Sequence, residues 1–472
     1  MTNQNSLLSK TATGINGLDE VLSGGLPQGR TTLVCGSAGC GKTLLAAEFL
    51  VHGATRFDEP GVFMAFEETE QDLSENVSSL GFDLPALTRD KKLIVDYVHI
   101  ERENIHETGE YDLEGLFIRL GHAIDSIGAK RVVLDTVESL FSGLSNANIL
   151  RTELRRLFRW LKDKGVTAVI TGERGDGALT RHGLEEYISD CVILLDHRVI
   201  EQISTRRLRV VKYRGSTHGT NEYPFLIDEE GLSVLPITSL ILKHTASEER
   251  VTTGIKKLDD MMEGKGYFKG SSVLVSGTAG TGKTSFAAHF CEAGCVRDKR
   301  VLYFAFEESP DQVLRNMSSI GIDLKPWISK GLLQFNAVHP LMHGMEMHLA
   351  AILKEVNRFK PDIIIVDPIN SFITSDNDLE VRAMLTRMIN YLKGKGITAL
   401  FTSLTEAGNH LEHTSTSVSS LIDTWLLLRN IEIDNDRRRG MYILKSRGMA
   451  HSSRVNEFLL TDHGVDLLTS DR

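Results

Sequence analysis

No stretch of this chain is apolar for long enough to cross a bilayer, and the N-terminal MTNQNSLLSK lacks the apolar core of a secretory signal. The expectation is a soluble, cytoplasmic protein with no membrane partner. Cysteine is scarce. The five cysteines, Cys35, Cys40, Cys191, Cys291 and Cys295, form no CxxC pair and no Cys/His cluster with metal-ligand spacing. That excludes a disulfide scaffold and a zinc site, and leaves reduced thiols. Runs of lysine and arginine are also missing, and the formal net charge is −10. A broad nucleic-acid surface is therefore not expected, which leaves only a local basic channel. What remains is ordinary globular composition: 472 residues, 41% hydrophobic and 25% charged, enough for two large α/β domains.

The chain repeats itself. TGINGLDEVLSGGLPQGRTTLVCGSAGCGKT near the start is matched later by TGIKKLDDMMEGKGYFKGSSVLVSGTAGTGKT. Lys42 and Lys283 stand at an offset of 241, Glu67 and Glu307 at 240, Asp135 and Asp367 at 232, Lys212 and Lys445 at 233. Four motifs in one order at nearly constant spacing mean a duplicated domain. The spacing divides the chain at 1–240 and 241–472, with the boundary between YPFLIDEEGLSVLP and TTGIKKLDD. Within each copy, short apolar runs such as TTLVCG, GVFMAF, RVVLD and VTAVIT alternate with helix-like stretches. Continuous apolar strands alternating with helices predict a mostly parallel sheet flanked by helices on both faces.

Each copy carries a complete phosphate-binding loop. The first is Gly36, Ser37, Ala38, Gly39, Cys40, Gly41, Lys42 and Thr43; the second is Gly277, Thr278, Ala279, Gly280, Thr281, Gly282, Lys283 and Thr284. Both follow an apolar strand and precede a helix-like run, the context that makes the pattern meaningful. The glycines let successive N–H groups face phosphate oxygens, the lysine neutralises the outer phosphates, and the threonine hydroxyl holds Mg2+. The reading is ATP binding and hydrolysis at two sites. Asp135 and Asp367 each end an apolar strand, which places a carboxylate beside the metal. The pairs Glu67-Glu68 and Glu307-Glu308 end other strands; one member of each can polarise an attacking nucleophile while the other assists the metal or the water network. Downstream stand Lys212, Arg214 and His218, repeated as Lys445, Arg447 and His451. Two cations on one strand face suit stabilisation of a γ-phosphate. The spacing leaves open whether they act within the chain or across a subunit interface.

The copies differ before one late strand. GLEEYISDCVILL aligns with HTSTSVSSLIDTWLLL, which sets Glu186-Tyr187 opposite Ser419-Ser420. Hydroxyls beside a phosphoryl-transfer site read as self-phosphorylation targets, or as an ordinary polar loop. Phosphate there would add charge near the DRRRG segment, Arg437 to Arg439.

These motifs resemble the KaiC family of circadian-clock ATPases, within the wider RecA-like class. The likeness spans nearly the whole chain and rests on TGINGLDEVLSGGLP, the FEE strands, VKYRGSTHGTNEYPF and the paired hydroxyls before IDT. It implies a double-ringed homohexamer with ATP between neighbouring subunits. Lys212, Arg214 and His218, and equally Lys445, Arg447 and His451, would then reach an adjacent subunit's nucleotide. It implies that the first domain is mainly an ATPase. In the second, Glu307, also placed near the metal, activates a hydroxyl for autophosphorylation. The phosphosites fall on Ser419 and Ser420, with an auxiliary threonine at Thr414. Two departures stand out. The second phosphosite is serine where the family typically has threonine, and little follows FLLTDHGVDLLTSDR, where clock members continue into a tail gripped by KaiA. KaiA-type regulation is therefore not expected, and a KaiC-like ATPase and autokinase with a KaiB-like partner is expected over a full oscillator. Two other readings are a nucleotide-gated scaffold without kinase activity and a RecA-like DNA-dependent ATPase; the acidic charge argues against the latter.

Overall fold

The computed structural model describes residues 8–98, 113–140, 147–175, 179–180, 188–200, 203–236, 247–337, 344–372, 378–405, 420–433 and 436–468. The chain forms two compact units, Met1–Ser239 and Leu240–Arg472. Each is built on a nine-stranded sheet among the described residues.

In the first unit the parallel part runs, in spatial order, Cys191–Ile200, Thr31–Gly36, Thr167–Glu173, Arg131–Asp135, Gly61–Ala65 and Leu93–Tyr97. Antiparallel strands Ile203–Tyr213, Glu222–Asp228 and Gly231–Val234 extend it beyond Cys191–Ile200. The second unit repeats this, with Ser272–Gly277 between Thr398–Leu404 and Thr424–Ile433. This is the mostly parallel sheet expected from the alternating pattern, in the RecA-like arrangement that the resemblance implies. The central strands are apolar on both faces because both faces are covered: TTLVCG and RVVLD are buried at every position.

Some helices start at a side-chain cap. Thr69 and Asp72 form a reciprocal capping box for Glu70–Ser78, and Ser309 with Gln312 does the same for Pro310–Ser318. The helices after the phosphate loops, Lys42–Arg56 and Lys283–Cys295, lack a side-chain cap. Each begins instead at a left-handed glycine, Gly41 (φ 101°) and Gly282 (φ 98°). Their first N–H groups thus lack a side-chain acceptor, at the place where an anion would sit.

Parallel pairing brings several strand ends to one edge. Ala65 pairs with Asp135, Val34 with Thr171, and Gly36 with Glu173 and Leu195. The phosphate loop, the strand-terminal aspartate and the glutamate pair are therefore neighbours by construction, at the carboxyl edge where open α/β sheets bind ligands.

Candidate nucleotide sites

Gly36 is glycine because a Cβ there would collide with the Leu195 carbonyl and the Cys40 sulfur. Gly39 and Gly41 take positive φ and curl the loop. The Lys42 Nζ lies inside the curl and donates to the carbonyls of Gly36 and Ser37, both at 3.0 Å. Lys283 makes the equivalent bonds to Gly277 (3.1 Å) and Thr278 (3.0 Å). Burial lowers the Lys283 pKa, while Asp367 and Glu307 pull it back up. Both ammoniums are buried and surrounded by acceptors from their own loops, ready to exchange carbonyls for phosphate oxygens. The first loop opens into a cleft of about 340 Å³ whose walls include Thr43, Glu68 and Asn76.

Asp135 is almost fully buried and accepts a hydrogen bond from the Thr171 hydroxyl, with the Thr43 hydroxyl close by. Burial raises its pKa, the two hydroxyls lower it, and the nearby Glu68 and Glu67 raise it again. Asp135, with the charges of Glu68 and Glu67 nearby, makes a hard-oxygen environment that a divalent cation would relieve. No group of three His, Cys, Asp or Glu side chains forms an all-protein metal cage among the described residues. In the second unit Asp367 accepts from Thr402 on Oδ1 and from Tyr303 on Oδ2, the latter at 2.7 Å. Thr284 holds the second position of its helix, as Thr43 does.

The glutamate pairs stand just beyond their strands, which end at Ala65 and Ala305, rather than within them. Glu67 Oε1 accepts from Thr136 (2.8 Å) and Ser139 (2.6 Å). Glu307 Oε1 accepts from Ser371 at 3.3 Å, and Pro368 stands where Thr136 does in the first copy. Glu68 accepts from Asn76 (3.3 Å), and Glu308 from Asn316 (3.4 Å). Thr171, Ser139 and Asn76, with their counterparts Thr402, Ser371 and Asn316, escaped the sequence reading. Their signal was the internal repeat itself, which conserves each at its matching offset. Arg439 was read only as part of a basic run; its Nε lies 3.4 Å from the Gly280 carbonyl of the second phosphate loop.

The cations do not join this constellation. Lys212 lies opposite Val192, near the start of a strand whose residue Leu195 is level with Gly36. Arg214 falls one residue past its strand, and its N–H donates to the Asp190 carbonyl beside Thr31. Lys445 lies opposite Trp425, and the Arg447 N–H donates to Asp423 beside Ser272. Five residues of strand, roughly 16 Å, separate Arg214 from the level of its own phosphate loop. His218, edge-on to Tyr213, and His451, near the Met449 carbonyl, follow on the same side.

Ser420 is exposed, and its carbonyl accepts from Arg447 Nη2 at 2.7 Å. It sits just before Asp423, at the edge remote from the loop of its own unit. Asp423 is held below the usual carboxylate range: burial pushes it up, but Lys393 and the Ser272 donors outweigh that. Ser419, Thr414, Glu186 and Tyr187 lie outside the described residues. The expected proximity of the DRRRG segment does not hold for Ser420 within a unit. Arg438 and Arg439 pair with Ile431 and Asn430, at the phosphate-loop end of the strand that begins at Thr424.

A family model described as "ATPase: KaiC" matches residues 11–239 and again 251–472. Over 99% of this chain and 83% of the relative, the sequence is 57% identical to the circadian clock protein KaiC2 of Synechocystis sp.. It is 38% identical to the circadian clock oscillator protein KaiC of Parathermosynechococcus lividus, over 98% of this chain and 86% of that one. It is 37% identical to the oscillator protein KaiC of Synechococcus elongatus, over 99% and 91%. No helix among the described residues is long and apolar enough to cross a membrane.

Proposed function

Because this chain belongs to the KaiC family of ATPases, we propose that its first domain hydrolyses ATP and its second transfers phosphate to the protein's own serines. The observation that carries this is the separation of each domain's parts onto opposite sheet edges. Lys42, Thr43, Asp135 and Glu67 share one edge; Lys212 and Arg214 occupy the other. A domain with a nucleotide loop at one edge and its phosphate-directed cations at the other is completed by a second copy placed head to tail. Repeated rotation closes such heterologous contacts into a ring, here a homohexamer by analogy with the family.

In the first domain the loop N–H groups and Lys42 hold the phosphates, and Thr43 and Asp135 hold Mg2+. When bound, that ion neutralises charge on the β- and γ-phosphate oxygens. Thr136 and Ser139 orient Glu67 so that its carboxylate can take a proton from attacking water, and Asn76 holds Glu68 at the cleft wall. Arg214 from the neighbouring subunit meets the charge that develops on the γ-phosphate.

In the second domain Lys283, Thr284 and Asp367 play the corresponding parts. Ser420 lies beside Arg447 at the edge that would face a neighbour's nucleotide. There the serine hydroxyl, rather than water, would attack the γ-phosphate. Glu307 takes the hydroxyl proton; held, among the described residues, by one hydroxyl donor where Glu67 has two, it is freer to turn toward an incoming side chain. The paired phosphosites are Ser419 and Ser420. The relatives are named as circadian clock proteins, which supports a timing or signalling role; a cytoplasmic location and a KaiB-like partner are proposed with it by analogy with the family.

Intact mass after incubation with Mg·ATP tests both halves of this reading. The native spectrum should show six chains, and the denatured spectrum should show added phosphate that disappears in Ser419→Ala/Ser420→Ala. An unshifted denatured mass in the parent protein would refute the autokinase and favour the nucleotide-gated scaffold.

A further inference from the structure

The two strand-terminal aspartates are anchored differently. Asp367 has a hydrogen-bond donor on each oxygen, Thr402 on Oδ1 and Tyr303 on Oδ2. Tyr303 is the third residue of Val301–Ala305, fully buried, with its ring packed against Phe335 at 4.9 Å. Its backbone pairs with Ile365, so the side chain reaches diagonally to Asp367 two residues on. In the first domain the matching position, third in Gly61–Ala65, is Phe63, which has no hydroxyl. There Asp135 accepts from Thr171 on Oδ1, and no phenol reaches its other oxygen among the described residues.

We propose that Tyr303 is a positioning residue for the second nucleotide site, fixing the plane of the Asp367 carboxylate before a divalent cation arrives. Two donors, one per oxygen, stop rotation about the Cβ–Cγ bond. Neither Thr402 nor Tyr303 lies in the phosphate loop, so neither has to give up its bond when metal and nucleotide bind. In the first domain Phe63 offers no such donor, so the Asp135 carboxylate is less completely prearranged. The two sites of one chain therefore differ in how their metal ligand is held, through a single hydroxyl. Outer partners of this kind typically change metal affinity 10- to 100-fold, and the lower end, about tenfold, suits an ion that also rests on phosphates.

This inference rests on the proposed Mg·ATP reading of the second site. The test uses the full chain loaded with a non-hydrolysable ATP analogue and titrated with Mn2+, with free Mn2+ read by electron paramagnetic resonance. The parent should bind two Mn2+ per chain. Tyr303→Phe should keep one site unchanged and weaken the other about tenfold. Its melting temperature and its nucleotide affinity in EDTA should match the parent, because phenylalanine already fills the equivalent place in the first domain. Two unchanged Mn2+ sites in the variant would overturn the inference while leaving the reading of the site intact. A parallel loss of nucleotide affinity in EDTA would also overturn it, by making the tyrosine structural. Failure of the parent to take up Mn2+ with nucleotide would instead overturn the Mg·ATP reading, and the inference with it.

Discussion

Replacing Lys212 and Arg214 by alanine separates action within one subunit from action between subunits. The structure places Arg214 level with Thr31, roughly 16 Å of strand from its own phosphate loop. Across that distance in water, two unit charges interact by only about 0.3 kcal/mol, less than a twofold effect on rate. A guanidinium in contact with a transferring γ-phosphate accounts for about a thousandfold or more. The choice between the two geometries is therefore a choice between a negligible loss and a nearly complete one. The assay is steady-state phosphate release, with Glu307→Gln/Glu308→Gln in every protein to silence the second domain. Lys212→Ala/Arg214→Ala should fall about a thousandfold. Glu67→Gln/Glu68→Gln, which keeps the cations but lacks the base, should also be inactive. Dissociated, mixed in equal amounts and reassembled with ATP, the two should regain activity. In a head-to-tail ring about a quarter of the interfaces then combine an intact base with intact cations. Near-parental activity in the cation variant alone, or no recovery on mixing in rings shown to be assembled, would refute the shared-site geometry.

Two predictions concern the frame that carries the site. Glu48 and His52 are buried neighbours 3.8 Å apart, and burial drives both toward neutrality: Glu48 up to about 7, His52 down to about 4. Since the folded state favours protonated Glu48, that group's contribution to stability falls as pH rises from 4.5 to about 7. The folded state also favours neutral His52, whose contribution rises from about pH 4 to 6.5, so the two trends partly cancel. Glu48→Gln should expose the His52 trend and gain about 2 kcal/mol over the parent between pH 5 and 8. Pulse proteolysis in urea, scored on first-domain fragments, measures this; parallel pH profiles would refute it. Arg131, fully buried, donates to Glu59 and to the Phe49 and Ala12 carbonyls, where the second domain has Ile363. Arg131→Met strands three acceptors and should cost the first domain about 3 kcal/mol in the same assay, whereas an unchanged urea midpoint would show that they find other donors.

Much of the fold and of the site is legible in the sequence alone. The phosphate loops, the aspartates ending apolar strands and the repeat offsets pointed to two RecA-like domains of one family. Each is a local signal: a glycine pattern between strand and helix, or a carboxylate closing an apolar run. The hydroxyls and amides that orient the carboxylates were harder to read. Ser139, Asn76 and Thr171 carry no local signature, because a hydroxyl or an amide is ordinary on a helix or a strand. They acquire a role only when chain crossovers bring them beside Glu67, Glu68 and Asp135. The DRRRG segment was misplaced for a related reason. It precedes Lys445 and Arg447 in sequence, but an antiparallel strand of eleven residues carries its two ends to opposite edges of the sheet.

The sequence by itself determined that each domain has a phosphate loop, a strand-end aspartate and a pair of downstream cations. Those follow from residue type and spacing, which set backbone conformation and charge locally. It did not determine which of these parts meet. Parallel pairing of Thr31–Gly36, Gly61–Ala65 and Arg131–Asp135 gathers their carboxyl ends at one edge. Antiparallel return of Ile203–Tyr213 carries Lys212 and Arg214 to the other. Strand direction is a property of the whole sheet, satisfied only when every backbone donor and acceptor finds its partner. That pairing, and no motif, sets the cations apart from the phosphate loop of their own domain.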